Sequence, residues 1–196
     1  CCVYRLTETN GVFSTSLVQV IRIGFVDDIT LWKSPEGNDD RSYGNFVVDT
    51  DNNKLYAFVR RWGPKEMRFF RFDLPGLDEG VENANYGCKV VTLNVEDIEQ
   101  QFTTEEFDVI QGCCYSNGKI IALSGLPYSP YNAAPAIRFI DVKTGAVETY
   151  WLNNYGVTDE PEMVSIDIET GTMYYAAIDG KLRIFKFANM HFHGYD

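Results

Sequence analysis

A strand–turn–strand–loop–strand–turn–strand pattern recurs along this chain, and it constrains the fold more than any other feature. It is clearest from Phe107 to Asn153. Phe107, Val109 and Ile110 lead through Gln111-Gly112-Cys113-Cys114-Tyr115 into Ser116-Asn117-Gly118-Lys119. An Asn-Gly pair between apolar runs predicts a hairpin, because both central residues of a type I′ turn need positive φ. Ile120-Ile121-Ala122-Leu123 is then apolar throughout, as in a strand covered on both faces. A loop rich in Pro, Tyr, Ser and Asn runs from Gly125 to Pro135, and Ala136-Ile137-Arg138-Phe139-Ile140 resumes the strand pattern. Asp141-Val142-Lys143-Thr144-Gly145 reads as a turn, with Asp to bond its own backbone and Gly for the left-handed position. Val147 to Leu152 is a fourth, outer strand.

Copies of this unit flank it. Asp51-Asn52, Asn117-Gly118 and Thr170-Gly171 precede Lys54-Leu55-Tyr56-Ala57, Lys119-Ile120-Ile121-Ala122 and Thr172-Met173-Tyr174-Tyr175-Ala176. The third strands also align: Arg68-Phe69-Phe70-Arg71-Phe72-Asp73, Ile137-Arg138-Phe139-Ile140-Asp141 and Leu182-Arg183-Ile184-Phe185-Lys186-Phe187. Four antiparallel strands with greasy inner members and a mixed outer one make a propeller blade. The fold expectation is therefore all-β, a single β-propeller region over 1–196. It comprises part of a blade at 1–25, blades at 44–94, 107–153 and 160–188, and a tail at 189–196. In the second copy, Cys88 to Leu93 is the expected fourth strand, with Val95 to Glu106 an acidic connector holding at most one short helical turn. About three to four blades are present, where complete propellers often have roughly five to seven. Open strand edges aggregate, so the remaining blades are expected from an upstream segment or a second chain. A closed four-bladed ring is the competing geometry.

Composition narrows the partners. A formal net charge of -11 argues against nucleic acid and anionic lipid, both of which call for Lys and Arg. No apolar run approaches the ~20 residues that span a bilayer. The five cysteines, Cys1, Cys2, Cys88, Cys113 and Cys114, lack metal-ligand spacing. Buried free thiols are the expectation, with a bridge from Cys88 to the Cys113-Cys114 strand as the alternative in an exported protein. Cys1 opens directly into Val3-Tyr4-Arg5-Leu6, which reads as the interior of a strand. The chain is expected to be cut, processed or truncated from something longer.

Gln111-Gly112 at the start of one unit and Glu160-Pro161-Glu162 at the start of the next resemble a pairing in five-bladed propellers of the helveticin and teichoic-acid-biosynthesis type. Arg41-Ser42-Tyr43-Gly44-Asn45-Phe46 holds the same place in its own unit. The chain departs from the pattern in carrying Met163 where a Gly follows Glu-Pro-Glu. The resemblance implies an extracellular or cell-surface protein with a glycan- or wall-related binding role. It implies no reaction.

In a propeller the first strand of each blade lines the central channel. Asn45, Gln111 and Glu162, with Arg41 and Glu160 beside them, are thus expected around one mouth of it. An Arg, amides and carboxylates on a rigid frame suit hydroxyl-rich ligands through directed hydrogen bonds; the plainer alternative is that they satisfy one another and channel water. Trp62, Tyr128 and Tyr131, on loops between second and third strands, can stack on sugar faces or simply cover a blade edge. Asp49, Asp51 and Asn53 imitate a calcium loop but lack its Gly and distal Glu, so a turn is expected. His191 and His193 read as a solvated tail rather than a metal site. The expected ligand is a glycan or wall polymer, with no cofactor, no metal and no catalytic residue assigned. A glycan hydrolase or lyase using Glu160 and Glu162, and a protein-interaction scaffold using the acidic rim, are the alternatives.

Overall fold

The computed structural model describes residues 1–34, 44–107, 110–127, 132–167, 170, 172–178 and 182–187, the last six by backbone alone. Their regular structure is all β apart from two 3₁₀ turns, Val95–Asp97 and Leu152–Tyr155. Among the described residues no helix is long and apolar enough to cross a membrane.

The strands form four small sheets. The first is β1 (Cys2–Thr9), β2 (Val12–Ile23), β7 (Cys88–Leu93) and β6 (Val81–Asn83), in that spatial order. The second is β3 (Gly44–Asp49), β4 (Lys54–Arg61), β5 (Glu66–Asp73) and β8 (Gln100–Glu105). The third is β9 (Ile110–Ser116), β10 (Lys119–Leu126), β11 (Ala133–Asp141) and β12 (Val147–Trp151). The fourth has three described strands, β13 (Glu160–Asp167), β14 (Thr172–Ile178) and β15 (Leu182–Phe187). All neighbours pair antiparallel except β2 and β7, which run parallel.

Local chemistry sets the hairpins. Asn117 and Gly118 take φ 44° and 76°, and Asn10 and Gly11 take 52° and 79°. These are the paired positive values a type I′ turn needs. Asp49 closes its own turn, with Oδ1 accepting from the Asn52 backbone N–H at 3.1 Å and Oδ2 from the Asn52 side chain at 2.9 Å. Asp141 Oδ1 likewise accepts from the backbone N–H groups of Lys143 and Thr144 at 2.9 and 2.8 Å.

One strand assignment needs correction. Cys88–Leu93 does not finish the second sheet but pairs in parallel with β2, while Gln100–Glu105 takes the outer place beside β5. The deciding side chain is Phe102. It lies opposite Phe69 in register and stacks on it with centroids 4.7 Å apart and planes 3° from parallel. Surrounded by Glu and Gln, that single aromatic anchor left the acidic stretch looking like a connector.

The sheets stack in chain order through three apolar clusters. Ile21 and Ile23 of the first sheet meet Leu55, Ala57 and Val59 of the second. Tyr56 and Phe58 of the second meet Ile120 and Ala122 of the third. Ile121 and Leu123 of the third meet Met173 and Tyr175 of the fourth. Neighbouring residues on each second strand thus serve opposite faces, as the period-2 pleat requires. Each fully buried Leu, Ile, Val, Phe or Met among them contributes about 1.5–3 kcal/mol relative to exposure. Among the described residues no cluster joins the first sheet to the fourth. All five cysteines are free thiols, and the second sheet stands between Cys88 and Cys113, so the alternative bridge is not formed.

Candidate functional site

The first strands of three sheets, β3, β9 and β13, lie side by side. Two contacts on each flank of β9 fix their directions. The Cys113 thiol donates to the Phe46 carbonyl at 3.4 Å, and, two residues on, the Tyr115 hydroxyl lies beside Asp49. Gly112 meets Glu162 and Met163, and, two residues on, the Cys114 thiol lies against the Ile166 backbone. Partners advance along β3 and β13 as β9 advances, so all three strands run the same way. Their starting residues, Asn45, Gln111 and Glu160, therefore share one end of the stack.

Gly112 permits the approach to β13. A Cβ there would stand 2.5 Å from the Glu162 carbonyl oxygen and 3.0 Å from the Met163 Cα, both backbone atoms. With no side chain in the way, Gln111 Nε2 reaches across and donates to Glu160 Oε1 at 2.7 Å. Glu162 lies two residues further along β13. Burial and the neighbouring Glu160 carboxylate hold its carboxyl above the ordinary glutamate range. Gln111, Glu160 and Glu162 are half-buried, so none is sealed from solvent.

The same end collects residues not singled out from sequence. Asp159 is buried. The Tyr175 hydroxyl is pushed to higher pKa by burial, with Asp159 and Glu162 adding to the effect. Arg138 is a buried cation whose guanidinium donates to Ser124 Oγ and lies 4.6 Å from the Phe107 ring centroid and 5.4 Å from that of Trp151. It belongs to the regular Arg-apolar alternation of the third strands and looks like an ordinary surface residue in sequence. The alternation alone gives no sign that Phe107 and Trp151 lie against it.

Asn45 is half-buried on β3, opposite Phe58. Trp62 follows the last residue of β4, which is antiparallel to β3, so it stands at the same end of its sheet. The ring is largely exposed, with the Arg60 guanidinium 3.7 Å from its centroid and Arg60 Nε held by Glu106 at 2.7 Å. Arg60 covers one ring face. Arg41, Tyr128, Tyr131, His191 and His193 lie outside the described residues. Among the described residues no group of three or more His, Cys, Asp or Glu is arranged to hold a metal. No protein-family model matches the chain, and no curated protein matches its sequence.

Proposed function

We propose that the four sheets are successive blades of a β-propeller, and that one mouth of its channel binds a carbohydrate or cell-wall polymer without turning it over. The observation that carries this is the Gln111–Glu160 hydrogen bond, which joins two sheets at the end shared by β3, β9 and β13. An amide and two carboxylates held on rigid strands offer both donors and acceptors, as polyhydroxyl ligands require. The exposed ring of Trp62 suits the apolar face of a sugar ring. The resemblance to propellers of the helveticin and teichoic-acid-biosynthesis type favours a secreted or surface-attached protein.

The test is binding to a panel of wall polymers and oligosaccharides by calorimetry, with Gln111→Ala and Glu160→Gln as probes. Loss of binding of tenfold or more in both variants, with unfolding temperatures unchanged, is the expected result. Binding that ignores both substitutions overturns the site. One observation favours a second reading. Glu162, its carboxyl held toward the protonated form beside Glu160, has the environment of a general acid paired with a carboxylate. Product release from a bound glycan that is lost in Glu162→Gln would replace the binding reading with a hydrolytic one.

A further inference from the structure

The chain holds two Asn-Gly pairs, and both occupy the same kind of turn. Asn10 and Gly11 join β1 to β2, while Asn117 and Gly118 join β9 to β10. Asn-Gly is chemically labile, because glycine puts no side chain in front of the backbone nitrogen that attacks the asparagine amide. The closed turn opposes that attack. It holds Asn10 at φ 52° and Asn117 at φ 44°, and the two-residue loop leaves no room for the main-chain rotation that brings the Gly nitrogen onto the side-chain carbon. Reaction at either site therefore requires the hairpin tip to open.

The two tips differ in what holds them shut. β7 pairs with β2 only from Gln19 to Ile23. Beyond that, β1 and β2 continue as a two-stranded ribbon, and every residue from Tyr4 to Ser16 is exposed. Val12, beside the turn, is 69% exposed. A two-stranded hairpin without packing is marginally stable in water. The other tip is clamped. The Gly118 carbonyl accepts from the Val142 N–H at 3.1 Å, which ties the turn to the next hairpin. Ser116 and Ile120 on either side are buried, and β10 is paired on both edges right up to Lys119.

We propose that Asn10 is a site of deamidation and that Asn117 is protected from it, although dipeptide and turn are the same. In the opened tip the Gly11 nitrogen bonds to Asn10 Cγ and gives up its proton, and the side-chain nitrogen leaves as ammonia. The succinimide ring so formed takes up water. Opening at one carbonyl yields aspartate, and opening at the other yields isoaspartate, with no change of oxidation state. Either product adds a negative charge to the tip. Isoaspartate also inserts a methylene into the main chain, so the two-residue turn no longer fits its strands and the ribbon loosens.

The test is incubation of the full chain at mildly alkaline pH, native and unfolded in urea, with both Asn-Gly peptides followed by mass spectrometry. An Asn10→Asp variant supplies the aspartate product as a standard. In the native protein Asn10 should convert at least about tenfold faster than Asn117, and in urea the two should convert at comparable rates. Hydrogen exchange reads the opening itself: the Val12 amide, opposite Thr9, should be protected at least about tenfold less than the Lys119 amide, opposite Ser116. Equal conversion of the two sites in the native protein overturns the proposal. So does an Asn10 that stays intact in the native protein while the urea-unfolded chain reacts at both sites.

Discussion

Gly112→Ala adds one methyl group at the closest approach of β9 and β13. That methyl would sit 2.5 Å from the Glu162 carbonyl oxygen and 3.0 Å from the Met163 Cα. An ordinary carbon–oxygen contact is nearer ~3.3 Å, and carbon–carbon contacts are optimal at ~3.5–4.0 Å. The overlap is thus several tenths of an ångström on each count, and no flexible side-chain end is available to yield. Either β13 moves away, opening the cluster of Ile121, Leu123, Met173 and Tyr175, or the strain is retained. Overpacking of this kind costs about 1–3 kcal/mol. For a chain of this length, 2 kcal/mol lowers Tm by about 4–8 °C. Thermal and urea unfolding followed by circular dichroism measures it, and moving β13 also weakens the Gln111–Glu160 bond and any binding that depends on it. A Gly112→Ala protein within about 0.5 kcal/mol of the parent would refute the close approach, and with it the construction of the site.

Three further outcomes follow from the same geometry. Ile121→Ala, at a fully buried position between the third and fourth sheets, should cost about 2–5 kcal/mol in urea unfolding; a loss below 1 kcal/mol contradicts that packing. Thiol labelling of the native protein should modify the exposed Cys1 and Cys2 rapidly and Cys88, Cys113 and Cys114 slowly. Burial removes Cys88 from the reagent and raises Cys113 to about 11 and Cys114 to about 12, where the thiolate is scarce; five equally fast thiols would refute it. Glu162 is protonated more readily folded than unfolded, so its contribution to stability is fully present below the unfolded glutamate value near 4.5 and is lost as pH rises through the higher folded value. Glu162→Gln should remove that part of the pH dependence, and an unchanged stability–pH curve above 4.5 would count against the raised carboxyl.

Much of the β architecture is legible in sequence because its signals are local. Asn117-Gly118 permits few structures other than a tight hairpin, and the apolar run at Ile120 to Leu123 has to be covered on both sides. The Asp49 turn was readable for the same reason, since its carboxylate closes on Asn52 only three residues away. What escapes is non-local. The β2–β7 pairing joins residues about 70 positions apart with no turn to announce it. The outer place of β8 depends on the Phe102–Phe69 stack, a tertiary contact that local polarity outweighs in the reading. At the candidate site, the residue types at Gln111, Glu160 and Glu162 stand out, but their contact does not. It depends on Gly112 bringing two backbones together, and a glycine in a strand can equally mark a bulge or a close approach.

The side-by-side placement of first strands underlies the site and the proposed channel alike. Its most direct measurement is a nuclear Overhauser cross-peak between the Gly112 and Met163 α-protons in the labelled protein. Their backbones approach so closely that a Cβ on Gly112 would lie 3.0 Å from the Met163 Cα. The account predicts a strong cross-peak, accompanied by weaker ones from Cys113 to Phe46. Strong signals within each hairpin with no cross-peak between β9 and β13 would contradict it.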